Sequence, residues 1–431
     1  MERVLKQIDE DELIDLTKKL CNAPSPTGSE KQVAEFMLQW FQDCGFEAVR
    51  QDVEFERPNA IGVLRGSGGG CSLTFNGHLD IAVMEEGEAI KEAFAKDGKI
   101  FGEGVTNMKG SVAAFLIAAK AIKKSGMQLK GDLILAGVVG EISTCPAGEY
   151  QAACDRGEGL GTRHLLSHGV HTDYAVVADG SEFAVITAQA GVAGFKITTQ
   201  GPMLYTPFTN RTKRPEDSQN AIIRALKVVE ILEQWGTVYE KRNKYRFRNG
   251  VIEPKVNICA IEAGIPKASV GTGARLPFRP STTPSSCLLY VDVRLPPGKT
   301  PLGVKVEICD VLGKSGIDAK VEMFRSQLGH EGKGKGVEKL FTTVSDSYEI
   351  ITGEKPPGAD AWSSSMWTDT NLYWELGIPA VKFGTPQHKS PEQRTLRVVD
   401  VDDLVKTAKV NALIALEVCN WERAGIPMKS T

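Results

Sequence analysis

Leu73-Thr74-Phe75-Asn76-Gly77-His78-Leu79-Asp80 opens as an apolar run, breaks at Asn-Gly, and then presents an imidazole and a carboxylate two residues apart. Residues 73–75 read as a buried strand. Strand ends are where α/β enzymes gather reactive side chains. Three more strand-like runs end the same way: 133–139 before Glu141, 174–178 before Asp179, and 380–383 before His388. Two histidines and three carboxylates at strand ends point to a metal site serving a hydrolase.

Outward from that stretch, the pattern alternates. Ser29-Glu30-Lys31-Gln32 reads as a capping box, followed by Val33, Phe36, Met37, Trp40 and Phe41 at helical spacing. Strands are expected at 48–55 and 61–64, a helix at 111–124, a strand at 133–139, a helix at 161–167 and a strand at 174–178. This implies an α/β fold whose main sheet is mostly parallel and sandwiched by helices. The character changes near Ala190. Strands at 192–199, 251–261 and 286–294, with a long amphipathic helix at 218–235, read as an inserted α+β unit that Pro296-Pro297-Gly298 closes. The expected organisation is a catalytic domain in two parts, 1–189 and 301–431, around a lid and dimerisation domain at 190–300. Residues 329–336, alternating glycine and lysine, read as a mobile surface loop.

The bulk numbers exclude more than they assert. At 431 residues the chain is long for one core. The net charge, 51 − 54 = −3, gives no electrostatic footprint for nucleic acid or an anionic membrane. No run approaches the length of a membrane helix, and the N-terminus lacks a secretory signal. The nine cysteines show no CxxC spacing and read as reduced thiols of a cytoplasmic protein.

Five stretches carry a resemblance: Gly77-His78-Leu79-Asp80, the run Gly102-Glu103-Gly104 through Asn107-Met108-Lys109-Gly110, Gly140-Glu141-Ile142, Ala178-Asp179-Gly180, and His388-Lys389-Ser390-Pro391-Glu392. In order and spacing they resemble the aminoacylase, acetylornithine deacetylase and carboxypeptidase G family of metallohydrolases. The resemblance implies a zinc-peptidase-like catalytic domain and a homodimer built through the lid. It also implies a metal-activated water that attacks an amide-like carbon. By it, His78 and Asp179 are metal ligands, Asp80 orients His78, Glu141 is the general base, and His388 serves a second metal.

Three positions depart from the family pattern. Its bridging aspartate is Asn107, which carries no charge. Its second glutamate is Ile142, which cannot ligate. Its lid histidine is Tyr205, in the apolar loop Met203-Leu204-Tyr205-Thr206-Pro207-Phe208. Two dications about 4 Å apart need several anionic ligands. The expectation is therefore one divalent ion, Mn²⁺ or Zn²⁺, on His78, Asp179 and Asn107. His388, freed from a second metal, and Tyr205, a hydrogen-bond donor without charge, would then face substrate.

A substrate that stabilises its own developing charge needs less help from such a site. An aromatic amino acid-like carboxylate fits. The favoured expectation is hydrolytic deamination of 5-nitroanthranilate to 5-nitrosalicylate and ammonia. The alternatives are an amidohydrolase, deacylase or dipeptidase acting on N-acyl amino acids or small peptides, and a relative that binds ligand without turnover. Arg325, Lys382 and Lys389 are candidates for the substrate carboxylate. His164, His168, His171 and His330 read as surface histidines, and Asp369 as a structural hydrogen-bonding group.

Overall fold

In a computed structural model of the chain, residues 1–82, 92–142, 156–264, 280–387 and 397–423 are described. The strand Leu133–Val138 is apolar at every position because it is buried on both faces. Leu133 and Leu135 face one core, shared with Phe115 of the helix Gly110–Ser125 and Leu404 of the helix Val401–Val418. Ile134, Ala136 and Val138 face another, shared with Leu165 of the helix Leu160–Ser167. The two-residue period of a strand thus sorts one continuous apolar run into two layers.

This strand is third in a six-stranded sheet ordered Glu47–Glu54, Arg57–Leu64, Leu133–Val138, Leu73–His78, Tyr174–Val177 and Ala380–Lys382. Arg57–Leu64 runs antiparallel to the strands on either side of it, and the last four strands are parallel. The C-terminal ends of the four parallel strands therefore meet on one edge, where α/β sheets place their ligands. Gly77 lets the sheet close on its helix, since a Cβ there would lie 2.7 Å from Cγ2 of Val112.

The inserted unit has its own sheet, antiparallel throughout, ordered Lys255–Ala263, Ser286–Leu295, Gly191–Gln200 and Ala319–Gln327. Its core takes Val228, Leu232 and Tyr239 from the helix Ala221–Arg242, and Val304, Ile308 and Leu312 from the helix Pro301–Lys314. The boundary expected at 300 therefore moves to about 327. The Pro-Pro-Gly stretch is a turn inside the unit. Thr300 caps the next helix by accepting from the Gly303 N–H, Pro301 suits its first turn, and its apolar face buries against the inserted sheet.

Other expectations shift for local reasons. The capping box does not form. The buried Glu30 accepts instead from Nε and Nη2 of Arg57, at 2.8 and 2.7 Å, and from the Gly28 N–H. The segment expected as one strand at 251–261 is broken at Pro254, giving Gly250–Ile252 and Lys255–Ala263. The Gly/Lys stretch pairs through His330–Glu331 with Ala188–Gln189 and then enters the helix Lys335–Thr352. His330 is half-buried, and burial pushes its imidazole below the ordinary range. One segment, Val105–Ser125, is long and apolar enough to cross a membrane by composition, but it is packed within the protein as a core helix. The seven described cysteines are free.

Candidate active site

His78 is the last residue of its strand, and Leu79 extends the pairing by donating to the Val138 carbonyl. The chain then turns so that the Asp80 carbonyl accepts from Nδ1 of His78 at 2.9 Å. A carbonyl only accepts, so Nδ1 carries a proton, and Nε2 is the nitrogen able to offer a lone pair. That Nε2 lies 3.0 Å from Oδ1 of Asn107 and 3.8 Å from Oε2 of Glu141.

The sequence reading gave Asp80 the task of orienting His78. The structure divides its work in two. Its carbonyl orients the imidazole. Its carboxylate, fully buried, also stands beside the imidazole, Oδ1 lying 3.5 Å from Nδ1, and fixes the turn that carries Glu141. Oδ1 accepts from the Glu141 N–H at 3.0 Å, and Oδ2 accepts from the Ile142 N–H at 3.0 Å and from the Thr27 hydroxyl at 2.9 Å. Gly140 makes this turn possible with φ +64°, a left-handed conformation in which a Cβ would also meet Nη2 of Arg57 at 2.7 Å.

The electrostatics follow from this crowding. Burial acts to push the His78 imidazole down. The hydrogen bond to Asp80 and the charges of Glu141, Asp80 and Asp179 outweigh it and hold the ring up at about 10. Burial raises the Glu141 carboxyl well above the usual range against the pull of His78, and Asp369, Asp179 and Asp80 push the same way as burial. Burial also acts to raise Asp80, but His78 and the two backbone N–H groups win and hold it below the usual range. A buried carboxyl with a raised pKa beside an imidazole is an arrangement able to move a proton.

Asp179 follows the neighbouring strand Tyr174–Val177. Its surroundings differ. Oδ1 accepts from the Gly180 N–H at 2.7 Å, with Nε2 of Gln387 at 3.5 Å. Oδ2 lies 3.1 Å from Nζ of Lys382, whose side chain is 0% exposed. Lys382 entered the sequence reading as a candidate for the substrate carboxylate; the structure gives its ammonium to Asp179. Arg325 is likewise engaged, buried against Glu158 and Asp292. The signal for Lys382 was available in Ala380-Val381-Lys382-Phe383, a lone lysine in a buried strand.

His388 and Lys389 lie outside the described residues. Tyr205 sits in the inserted unit, 52% exposed, its backbone bridging to Thr282 and its ring edge-on to Phe208. Among the described residues, no hydrogen bond, ion pair or ring contact joins it to His78, Asp80, Glu141 or Asp179. His164 and His168 stack on one another near the surface. Sequence reasoning missed Thr27, which only the fold brings to Asp80. It also missed the reach of Asp369, which accepts from the Thr162 hydroxyl at 2.6 Å and adds its charge to Glu141.

The donors present can be tested against a divalent ion. Among the described residues, no three His, Cys, Asp or Glu side chains already stand as a ligand cluster. His78 Nε2 and the Asn107 amide oxygen nevertheless converge, and the carboxylates around them draw positive charge strongly enough to raise the imidazole. That set fits one cation, taken in place of the Nε2 proton. Ile142 offers no donor, and Oδ2 of Asp179 lies 3.1 Å from the Lys382 ammonium.

Residues 74–417 match the family described as Peptidase family M20/M25/M40. Over nearly its whole length the chain is 31% identical to an N-formyl-4-amino-5-aminomethyl-2-methylpyrimidine deformylase of Halalkalibacterium halodurans, covering 98% of this chain and 99% of that one. It is 25% identical to the protein of the same name from Bacillus subtilis, covering 97% of each. Among solved structures, an aminopeptidase PepT from Bacillus cereus superposes with a TM-score of 0.67 at 19% identity, over 96% of this chain and 99% of that one. The last of these likenesses speaks to the fold alone.

Proposed function

The chain belongs to the M20/M25/M40 peptidase family of metal-dependent hydrolases and hydrolyses C–N bonds, and from that premise we propose that it is a deacylase removing a formyl group from an amine on a small nitrogen heterocycle. The observation that carries this reading is the end-to-end likeness to two proteins named for that reaction. The deamination of 5-nitroanthranilate favoured by the sequence reading gives way to the amidohydrolase alternative.

The site's losses suit a formamide. A formyl carbon bears only hydrogen beside its oxygen and nitrogen, so it is more open to attack than an acetyl or peptide carbon. It needs less electrophilic help, which matters where Asn107 and Ile142 stand at two family carboxylate positions.

One divalent ion, Mn²⁺ or Zn²⁺, would be held by His78, Asn107 and Asp179, and when bound it polarises the carbonyl and acidifies water. The chain's own residues do the rest. Oε2 of Glu141 takes a proton from water as its oxygen adds to the formyl carbon. The same carboxyl returns the proton to the nitrogen as the C–N bond breaks, leaving formate and the free amine. Asp80 holds Glu141 at its post through the two backbone N–H groups. Tyr205, distant in a single chain, would reach this chemistry from a second copy in a homodimer; His388 would contact substrate beside it.

The test is product analysis. Purified protein with Mn²⁺ or Zn²⁺ should release formate from an N-formylated aminomethylpyrimidine faster than it releases acetate from N-acetyl amino acids or ammonia from 5-nitroanthranilate. Ammonia as the main product would overturn the proposal. Binding of all three compounds without any product would favour a non-catalytic relative.

A further inference from the structure

Lys382 ends the outermost strand of the six-stranded sheet, with its backbone hydrogen-bonded to Ile186 in both directions and its side chain fully buried. A buried ammonium is costly unless an anion lies beside it. The partner here is Oδ2 of Asp179 at 3.1 Å. Among the described residues this ion pair is the ammonium's one partner, and Nζ makes no well-directed hydrogen bond, to Asp179 or to any other atom. An apolar residue would have filled this strand position without desolvating a charge. The lysine therefore bears on Asp179, and so on whatever Asp179 holds.

We propose that the Lys382 ammonium, seated on Asp179 at the strand end next to His78, is a built-in positive charge that restricts this site to a single, weakly held divalent cation. The inference rests on the one-cation reading of the site and extends it to a residue outside the ligand set. Asp80, Glu141 and Asp179 place three negative charges around His78, and Lys382 offsets one of them. What remains is balanced by one dication. A second would add repulsion that Asn107 and Ile142 have no charge to relieve. Among the described residues, Oδ1 of Asp179 meets only the Gly180 N–H at 2.7 Å and the Gln387 amide at 3.5 Å, which leaves it a lone pair. Asp179 can thus serve the cation through one oxygen while the other stays with the lysine. Lys382 is on this account a positioning residue, acting through Asp179.

The experiment measures metal, not turnover. Full-length protein is stripped with chelator and titrated with Mn²⁺ and with Zn²⁺ by calorimetry, with bound metal counted by mass spectrometry. Wild type should hold one ion per chain. Lys382→Met should bind that ion about tenfold or more tighter, because a repelling charge is gone. Lys382→Arg, which keeps the charge, should stay within about threefold of wild type. Lys382→Gln, able to hydrogen-bond Asp179, stands in if the methionine variant does not fold, and is expected to follow it. A folded Met or Gln variant with wild-type or weaker affinity would overturn the role of Lys382 and leave the one-cation reading intact. Two ions per wild-type chain would overturn both.

Discussion

The two strand ends that form the site are built from the same kind of residue and treated in opposite ways. Asp80, after the strand Leu73–His78, has its carboxylate met by two backbone N–H groups and a hydroxyl. Asp179, after the strand Tyr174–Val177, has its carboxylate met by a buried lysine. The first arrangement stabilises a negative charge with dipoles and leaves that charge free to act on His78. The second cancels the charge. Placement at a strand end therefore does not by itself fix what a carboxylate does; what faces its oxygens decides, and at Asp179 the lysine takes one oxygen, Oδ2, and not the other.

The sharpest way to break this comparison is at the base. Glu141→Gln keeps the size of the side chain and its backbone N–H to Asp80, but it removes the proton acceptor. Turnover should fall about 10³-fold or more, while metal content stays at the wild-type level. An active Glu141→Gln protein would move the chemistry elsewhere.

The next largest effect lies on the Asp179 side and reads as stability. Asp179→Asn leaves the Lys382 ammonium buried without an anion. Breaking a buried ion pair from one side costs about 3–5 kcal/mol, seen as a lowered urea midpoint. Asp179→Asn combined with Lys382→Met should recover much of that loss. If the single variant unfolds at the wild-type midpoint, the pair does not hold the charge as described.

Asp80→Asn comes third. An amide offers one oxygen where the carboxylate offers two, so either Glu141 N–H or Ile142 N–H loses its acceptor. The carbonyl contact to His78 is untouched. Metal affinity and turnover should drop about 10- to 100-fold, with the larger loss in turnover because the base is the group displaced. Equal losses in both would point to His78 instead.

The sequence and the structure part at specific places. The central sheet was legible because a strand buried on both faces leaves a continuous apolar run, and 133–139 and 174–178 are such runs. His78, Asp80, Glu141 and Asp179 were legible because each follows one. The end of the inserted unit was not. The helix Pro301–Lys314 is amphipathic in either domain, and only packing against Val291 and Phe195 assigns it. Lys382 and Thr27 were equally hidden, since their roles depend on contacts 203 and 53 positions away in sequence, from Asp179 and Asp80 respectively. A charge in an apolar strand announces that a partner exists, but not which one.

Asp369 gives the smallest and most diagnostic effect. Its buried carboxyl accepts from Thr162 through Oδ2, while among the described residues Oδ1 has no hydrogen-bond partner, and burial outweighs the Thr162 bond to push its pKa up to about 6. The sign follows directly. A carboxyl whose folded pKa is raised binds its proton more tightly folded than unfolded. Its penalty is therefore absent below the unfolded value near 4, grows as pH rises, and is complete above about 6. Asp369→Asn removes the titration and keeps an oxygen for Thr162. The variant should exceed wild type in stability at pH 7.5 by about 1–2 kcal/mol, once the unpaired amide N–H is set against the gain. The gap should shrink and change sign as pH falls from 6 to 4, where only the cost of the unpaired amide N–H remains. The same substitution removes a charge that raises Glu141, so the acidic limb of any turnover–pH profile should move to lower pH. A stability gap that does not change between pH 4 and 7.5 would show that Asp369 titrates alike in the folded and unfolded chain, so that its pKa is not raised.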